Sequence, residues 1–294
     1  MTMPTSRMLR RATPWLMLAP SLLVLVPFFV LPIAIMFRNS LARDNPATGM
    51  LMPEITVANY ARILGDWFYA QIFLNSLAAS FGVALLTLLI GYPFAYYLAR
   101  WAGRRWLPVL MWVVYMPILV SVITRVFGWI VITADSGILN GLLLGAGILR
   151  EPVRILFDIS GMTIGMVHRY LPLMILPLAN SIAKIDPRVL AASTSLGASG
   201  RDTFLRVVLP LSLPGVVAGF QLVTAVVLSD YVLPTLMGST RFRILAPAVF
   251  DEAIGSVRWA LAASLAMVML AIVAVTMVAL NLAMRRLAPW ARGL

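Results

Sequence analysis

Four ionisable side chains, Arg125, His168, Arg169 and Asp230, fall inside long apolar runs of this chain. A charge at bilayer depth costs about 2.5–3.5 kcal/mol on insertion scales unless it faces water or a partner, so such residues mark either a solute path or a buried ion pair. On the first reading they line a path, with Asp230 able to meet a cationic group and with Trp129 and Tyr231 close by in sequence. On the second, Arg125 and Asp230 form a pair that only fixes helix register. The amphipathic rings of Trp129, Tyr170 and Tyr231 suit anchors at a membrane–water interface.

Other chemistries are excluded by counting. The chain has no cysteine, so it holds no thiolate metal site, disulfide or cysteine nucleophile. Its one histidine leaves zinc and iron centres without a ligand cluster. The one lysine, Lys184, follows Ile182-Ala183, so there is no glycine-rich phosphate loop and no route to ATP hydrolysis through one. A Gly-x-Ser-x-Gly elbow and paired intramembrane carboxylates are also missing, which removes the usual hydrolase and proton-pump patterns.

A second group of polar residues occupies 186–214, a basic stretch between two apolar runs. Asp186 followed by Pro187 starts a helix, since the carboxylate can cap free amides and proline suits the first helical position. That helix runs to about Ser195 and carries Ala191, Ala192 and Ser193. Leu196 precedes Gly197, which stands where a left-handed residue ends a helix. After Ala198, Ser199 and Asp202 form a second capping pattern, and a second helix carries Arg201 and Phe204 on to Leu209. Pro210 and Pro214 then interrupt the ladder, so the short helices need not be collinear with the next run. Two readings fit: a docking element for a partner, or an ordinary amphipathic interfacial loop.

The elements that must position these residues follow from composition. Of the 294 residues 61% are hydrophobic and 12% charged, about half the charge of a soluble domain, so the chain is an integral membrane protein. Apolar runs near the ~20 residues a helix needs to span the bilayer lie at 15–37, 71–99, 107–132, 159–182, 213–236 and 259–284. The first run is longer than a signal-peptide core and lacks a small-x-small cleavage site, which favours a span over a cleaved leader. With the N-terminus placed inside, the inner segments hold thirteen basic residues against two acids, while the outer segments hold eight of each. This obeys the positive-inside rule and puts both termini and 186–214 in the cytosol. The net charge of +12 therefore reports topology, and the dispersed arginines form no nucleic-acid face.

Residues 38–70 make a long outer loop with turn signals at Asp44-Asn45-Pro46 and Met52-Pro53, and 100–106 a tight basic inner turn. The apolar stretch 138–149 is too short to span and reads as a re-entrant or interfacial helix. Gly161 with Gly165, and Gly215 with Gly219, place small residues one turn apart on the fourth and fifth spans, where they permit close backbone contact. There is no inverted internal repeat of the secondary-carrier kind.

The run Leu196-Gly197-Ala198-Ser199, then Phe204, Leu209-Pro210 and Pro214-Gly215, resembles the cytosolic loop of binding-protein-dependent ABC transporter permeases. The stretch from Gly91-Tyr92-Pro93-Phe94 to Ala99, Arg125 with Trp129, Gly137-Ile138-Leu139-Asn140, and Ser229-Asp230-Tyr231-Val232 with Gly238 are similar to its spermidine/putrescine-type branch. One departure is that the family's loop opens with Glu-Ala-Ala where this chain has Ala191-Ala192-Ser193.

The resemblance implies an all-α integral membrane fold of six transmembrane helices, with a cytosolic coupling-helix loop between the fourth and fifth. The expected layout is a cytosolic tail at 1–14, a permease domain at 15–284 containing the docking loop at 184–214, and a cytosolic tail at 285–294. It further implies a bacterial inner-membrane importer subunit for a small polyamine-like solute, with no catalytic site or cofactor of its own. ATP and magnesium belong to a partner ATPase. The expected partners are a cytosolic ABC ATPase dimer, a second permease, identical or homologous, an extracytoplasmic solute-binding protein, the solute and lipid. A self-contained carrier or channel of six spans is the alternative, and dependence on an ATPase discriminates the two. A non-transporting scaffold leaves the four intramembrane ionisable residues unexplained.

Overall fold

The computed structural model describes residues 5–45 and 48–287, with side chains from 17 to 286 apart from 46 and 47. The side chains of Arg7, Arg10 and Arg11, the turn residue Pro46, and Arg292 lie outside the described residues. Among the described residues six helical stretches are long and apolar enough to cross a membrane: Met17–Ser40, Trp67–Arg100, Val122–Gly145, Ile159–Ala183, Gly200–Ser229 and Trp259–Arg286. The chain divides into two compact units, Met1–Gly65 with Glu252–Met267, and Asp66–Asp251 with Val268–Leu294.

In the first unit, helix α1 (Thr5–Ser40) leads into an antiparallel pair, β1 (Arg43–Asp44) and β2 (Leu51–Met52), followed by helix α2 (Ala58–Gly65). From Met17 to Phe37 the side chains of α1 are apolar almost all round, so this stretch is suited to lipid or a partner helix rather than water. The unit is tied together by polar contacts near the α1 end. The Ser40 hydroxyl meets the Tyr60 hydroxyl at 2.6 Å, and the Ser264 hydroxyl donates to the Ser40 carbonyl at 2.9 Å. Asp44 accepts from the amides of Ala260 and Leu261 at 2.8 and 3.2 Å. These are free first-turn donors of the last helix, α13 (Trp259–Leu287), so a carboxylate distant in sequence serves as its cap.

The second unit is built on three long helices, α3 (Trp67–Arg100), α7 (Ile159–Ala183) and α10 (Leu209–Ser229), which pack on one another. Its core holds Ala95, Met166, Met174, Leu178, Ile182 and Val223, all fully buried. Small residues set the approach of α10 to α7. A Cβ on Gly215 would stand 2.4 Å from the Ser181 Cβ and 2.8 Å from the Pro177 carbonyl, and one on Gly219 would stand 2.7 Å from the Met174 sulfur. Gly161 and Gly165 have different neighbours, the Ile155 carbonyl and Leu233. At the start of α7, hydrogen bonds from the Ile159 backbone and the Ser160 hydroxyl hold the Asp158 carboxyl below the usual carboxylate range.

The region expected as the third span is not one helix. Leu107–Leu119 (α4) and Val122–Thr133 (α5) are separated at Val120 and Ser121, whose backbones are extended. Pro117 removes a ladder donor just before the break. The apolar stretch long enough to span runs instead from Val122 through α5 and α6 (Ile138–Gly145). With eight residues, α6 cannot span alone, as expected for 138–149. Buried Asn140 clamps it, donating to the carbonyls of Ala134 and Val153 and accepting from the Val153 amide.

The fifth span also departs from expectation. Pro210 and Pro214 do not interrupt it, because helix continues from Gly200 to Ser229. Phe204–Val208 forms a wide π-type turn in which the Leu209 amide bonds back to the Phe204 carbonyl, five residues away. The extra residue per turn accommodates a proline that has no amide to give and whose ring would crowd the i−4 carbonyl. The helix ends at Ser229, earlier than the expected 236. Asp230 is extended, and two short helices follow, α11 (Val232–Met237) and α12 (Leu245–Phe250).

Candidate functional site

Two constellations carry the expected site residues, both in the second unit. The first is the polar segment after α7. Helix α8 (Pro187–Ser195) opens with the Asp186 carboxylate accepting from the Arg188 amide at 2.8 Å. It closes at Gly197, whose φ of +83° lies in the left-handed region. The Gly197 amide bonds the Thr194 carbonyl and the Ala198 amide the Ser193 carbonyl, the paired closure that satisfies the last orphan carbonyls. Ser199 then caps α9 (Gly200–Thr203), accepting from the Asp202 amide at 3.1 Å while its hydroxyl donates to the Asp202 carboxylate. A contact of 3.0 Å between the hydroxyls of Ser193 and Thr203 joins the two short helices.

The outer face of this frame is open. Leu196 is 88% exposed, Ala191 and Ala192 are exposed, and a Cβ on Gly197 would meet nothing within 4 Å. Its inner face is tied to the bundle. Phe204 lies edge-on to Tyr92 and Tyr96 of α3, with ring centroids 5.5 and 5.9 Å away. The Tyr92 hydroxyl meets the Ser212 hydroxyl at 2.7 Å, two residues beyond Pro210. Arg100 donates to the carbonyls of Ile182 and Ile185, holding the end of α7. Tyr92 and Tyr96 are the residues that sequence reasoning left without a role, although their one-turn spacing on α3 offered the signal.

The second constellation sits on α7, where consecutive residues reach different elements. The His168 Nδ1 accepts from the Trp129 indole of α5 at 3.3 Å. Arg169 lies 3.3 Å from Asp230, and Tyr170 donates to the same carboxylate at 2.6 Å. The other Asp230 oxygen accepts from the Val232 amide at 3.0 Å and so caps α11 across the helix break. The Arg125–Asp230 pair of the second reading is not formed. Arg125 instead donates to the Val120 carbonyl at 2.6 Å, filling an acceptor that the break between α4 and α5 leaves free. Tyr170, read as an interface anchor, is buried, and Trp129 is engaged by His168. Tyr231 is partly exposed and stacks on Phe250 at 5.1 Å. Beside His168 lies an apolar cavity of about 190 Å³ lined by Ile90, Phe94, Pro117 and Leu171. No cluster of three or more histidine or acidic side chains able to hold a metal occurs among the described residues.

The arrangement offers an exposed, internally capped tip wired to a helical bundle, and a charged knot where one membrane helix breaks.

No protein-family model matches the chain. It is similar to the spermidine/putrescine transport system permease protein PotB of Haemophilus influenzae, with 34% identity over 235 residues, 80% of this chain and 81% of that one. PotB of Escherichia coli is 35% identical over 218 residues, covering 74% and 78% of the two chains. In fold it resembles a chain of a bacterial alginate ABC transporter solved in complex with its alginate-bound periplasmic protein, at a TM-score of 0.76 and 14% identity over 96% of this chain and 97% of that one.

Proposed function

We propose a function that proceeds from one premise: this chain belongs to the PotB family of spermidine/putrescine ABC transporter permeases. It is a multi-pass inner-membrane permease subunit, and ATP hydrolysis belongs to a separate subunit of the transporter. The solute is a small polyamine. The partners are a cytosolic ABC ATPase dimer, a second permease and an extracytoplasmic solute-binding protein. Both termini and the α8–α9 segment face the cytosol, a reading supported by the excess of basic residues on those segments. This chain needs no cofactor of its own, and ATP with magnesium is held by the ATPase.

The observation that carries the mechanism is the exposed Leu196–Gly197 tip on a frame closed at both ends by caps and joined to α3 through Phe204. An ATPase groove takes the tip. Nucleotide-driven closure of two ATPases draws two such tips together, and Phe204 passes the movement to Tyr92, Tyr96 and the long helices. The bundle then alternates between inward-open and outward-open. Of Ala191-Ala192-Ser193, Ala191 stands where the family's loop opens with Glu, which leaves the tip without its usual carboxylate, so docking rests on shape and apolar contact at Leu196.

Replacing Gly197 with Glu tests this directly. A residue with a Cβ disfavours φ near +83°, and a bulky anion would occupy the open surface. Uptake of labelled polyamine should fall to background while the chain stays in the membrane at wild-type level. Normal uptake at equal protein level would overturn the docking assignment.

A further inference from the structure

The first unit contains a cavity that the coupling account does not use. It has a volume of about 630 Å³ and is lined by Arg43, Asp44, Asn59, Arg62, Val257 and Arg258, among others. Its charges do not balance. Glu252 is engaged by Arg258 at 2.8 Å, and both oxygens of Asp44 are taken by the first amides of α13. Arg43 and Arg62 pair with no carboxylate among the described residues, although all eleven acids of the chain are described. The cavity therefore presents two free guanidinium groups.

Its backbone is also held in disfavoured conformations. Val257, a β-branched residue, has a φ of +53°, where only glycine is at ease. Gly49, at +69°, packs so closely on it that a Cβ would stand 2.9 Å from the Val257 carbonyl. A wide π-type turn at Asp251–Gly255 precedes the segment. Backbone of this kind persists where its surroundings over-determine it, and it gathers at binding sites.

We propose that this cavity is a socket for carboxylate side chains of the extracytoplasmic solute-binding protein, with Arg43 and Arg62 as its anion-binding groups. The assignment rests on the importer reading and the orientation given above. A protein that captures a polycation must surround its cleft with carboxylates, and planar guanidinium groups bind carboxylates through paired hydrogen bonds. Complementary charge at the rim of such a contact acts on encounter and on its salt dependence.

The test uses the complete transporter in liposomes, with the purified solute-binding protein added and ATPase rate measured against its concentration at low and high salt. For the Arg43→Ala/Arg62→Ala chain, the half-stimulating concentration should rise about tenfold at low salt and its salt dependence should flatten. Maximal stimulation and basal ATPase should stay at wild-type values, which also shows that the variant is folded and assembled. Arg43→Lys/Arg62→Lys, which keeps charge but loses the fork, should fall between. An unchanged half-stimulating concentration and salt dependence would overturn the socket. So would a difference that vanishes in liposomes without anionic lipid, which would give the cavity to a lipid headgroup. A wild-type complex that no binding protein stimulates would contradict the importer reading on which the socket rests.

Discussion

Asp230 has almost no contact with solvent and is already engaged by Arg169, Tyr170 and the Val232 amide. A carboxylate so committed cannot receive a cationic solute without first releasing Arg169. Its bonds tie α7 to the break between α10 and α11. Asp230→Ala leaves the Arg169 charge uncompensated at membrane depth, at a cost of about 3–5 kcal/mol in stability. The double variant Arg169→Leu/Asp230→Asn removes both charges and should recover most of that loss. Thermal unfolding of the full chain in detergent measures the stability, and uptake measures function. If the double variant is stable yet transports nothing, the charged pair serves transport and not packing alone. The sequence showed that an intramembrane acid needed a partner but offered Arg125 as that partner. Position along a span says nothing about which face a residue occupies, and Arg125 had a nearer claim on it, the Val120 carbonyl freed by a helix break that hydropathy does not register.

At the scale of elements, the caps of α8 and α9 were legible because they are local. Each requires only residue types at offsets of one to three, and Asp186, Gly197, Ser199 and Asp202 all do what those offsets imply. The π-type turn ahead of Pro210 was not legible, since a proline in sequence signals interruption and only the packed helix shows how it is absorbed. Phe204 sits in that turn and joins the exposed frame to α3. In Phe204→Ala the ATPase should still bind, because the Leu196–Gly197 tip is untouched, but ATP hydrolysis should no longer drive uptake. Loss of ATPase binding in that variant would show that Phe204 shapes the tip instead. Helix contacts offer a matched comparison. Gly219→Leu drives a side chain into Met174 and should cost about 1–3 kcal/mol through overpacking. Gly82→Ala, in the interior of α3 with open space around its Cβ, should be neutral or slightly stabilising by contrast. Equal unfolding temperatures for the two would contradict the close approach of α10 to α7.

For the whole molecule, hydropathy found the six apolar spans, because the bilayer demands satisfied backbone over a fixed length whatever the tertiary contacts. It did not find where the third and fifth spans begin and end, since those limits depend on how freed backbone groups are satisfied. Membership of the PotB family rests on similarity along most of the chain. The proposed coupling depends on one exposed tip, and both bear on whether this chain works alone. The most direct measurement is purification of the tagged chain in mild detergent from its host's membranes, beside the Gly197→Glu chain, with every co-purifying protein identified by mass spectrometry. An ATPase carrying a phosphate-binding loop should accompany the native chain and be lost from the variant. A native chain that purifies alone, and still moves solute in ATP-free vesicles, would contradict the account.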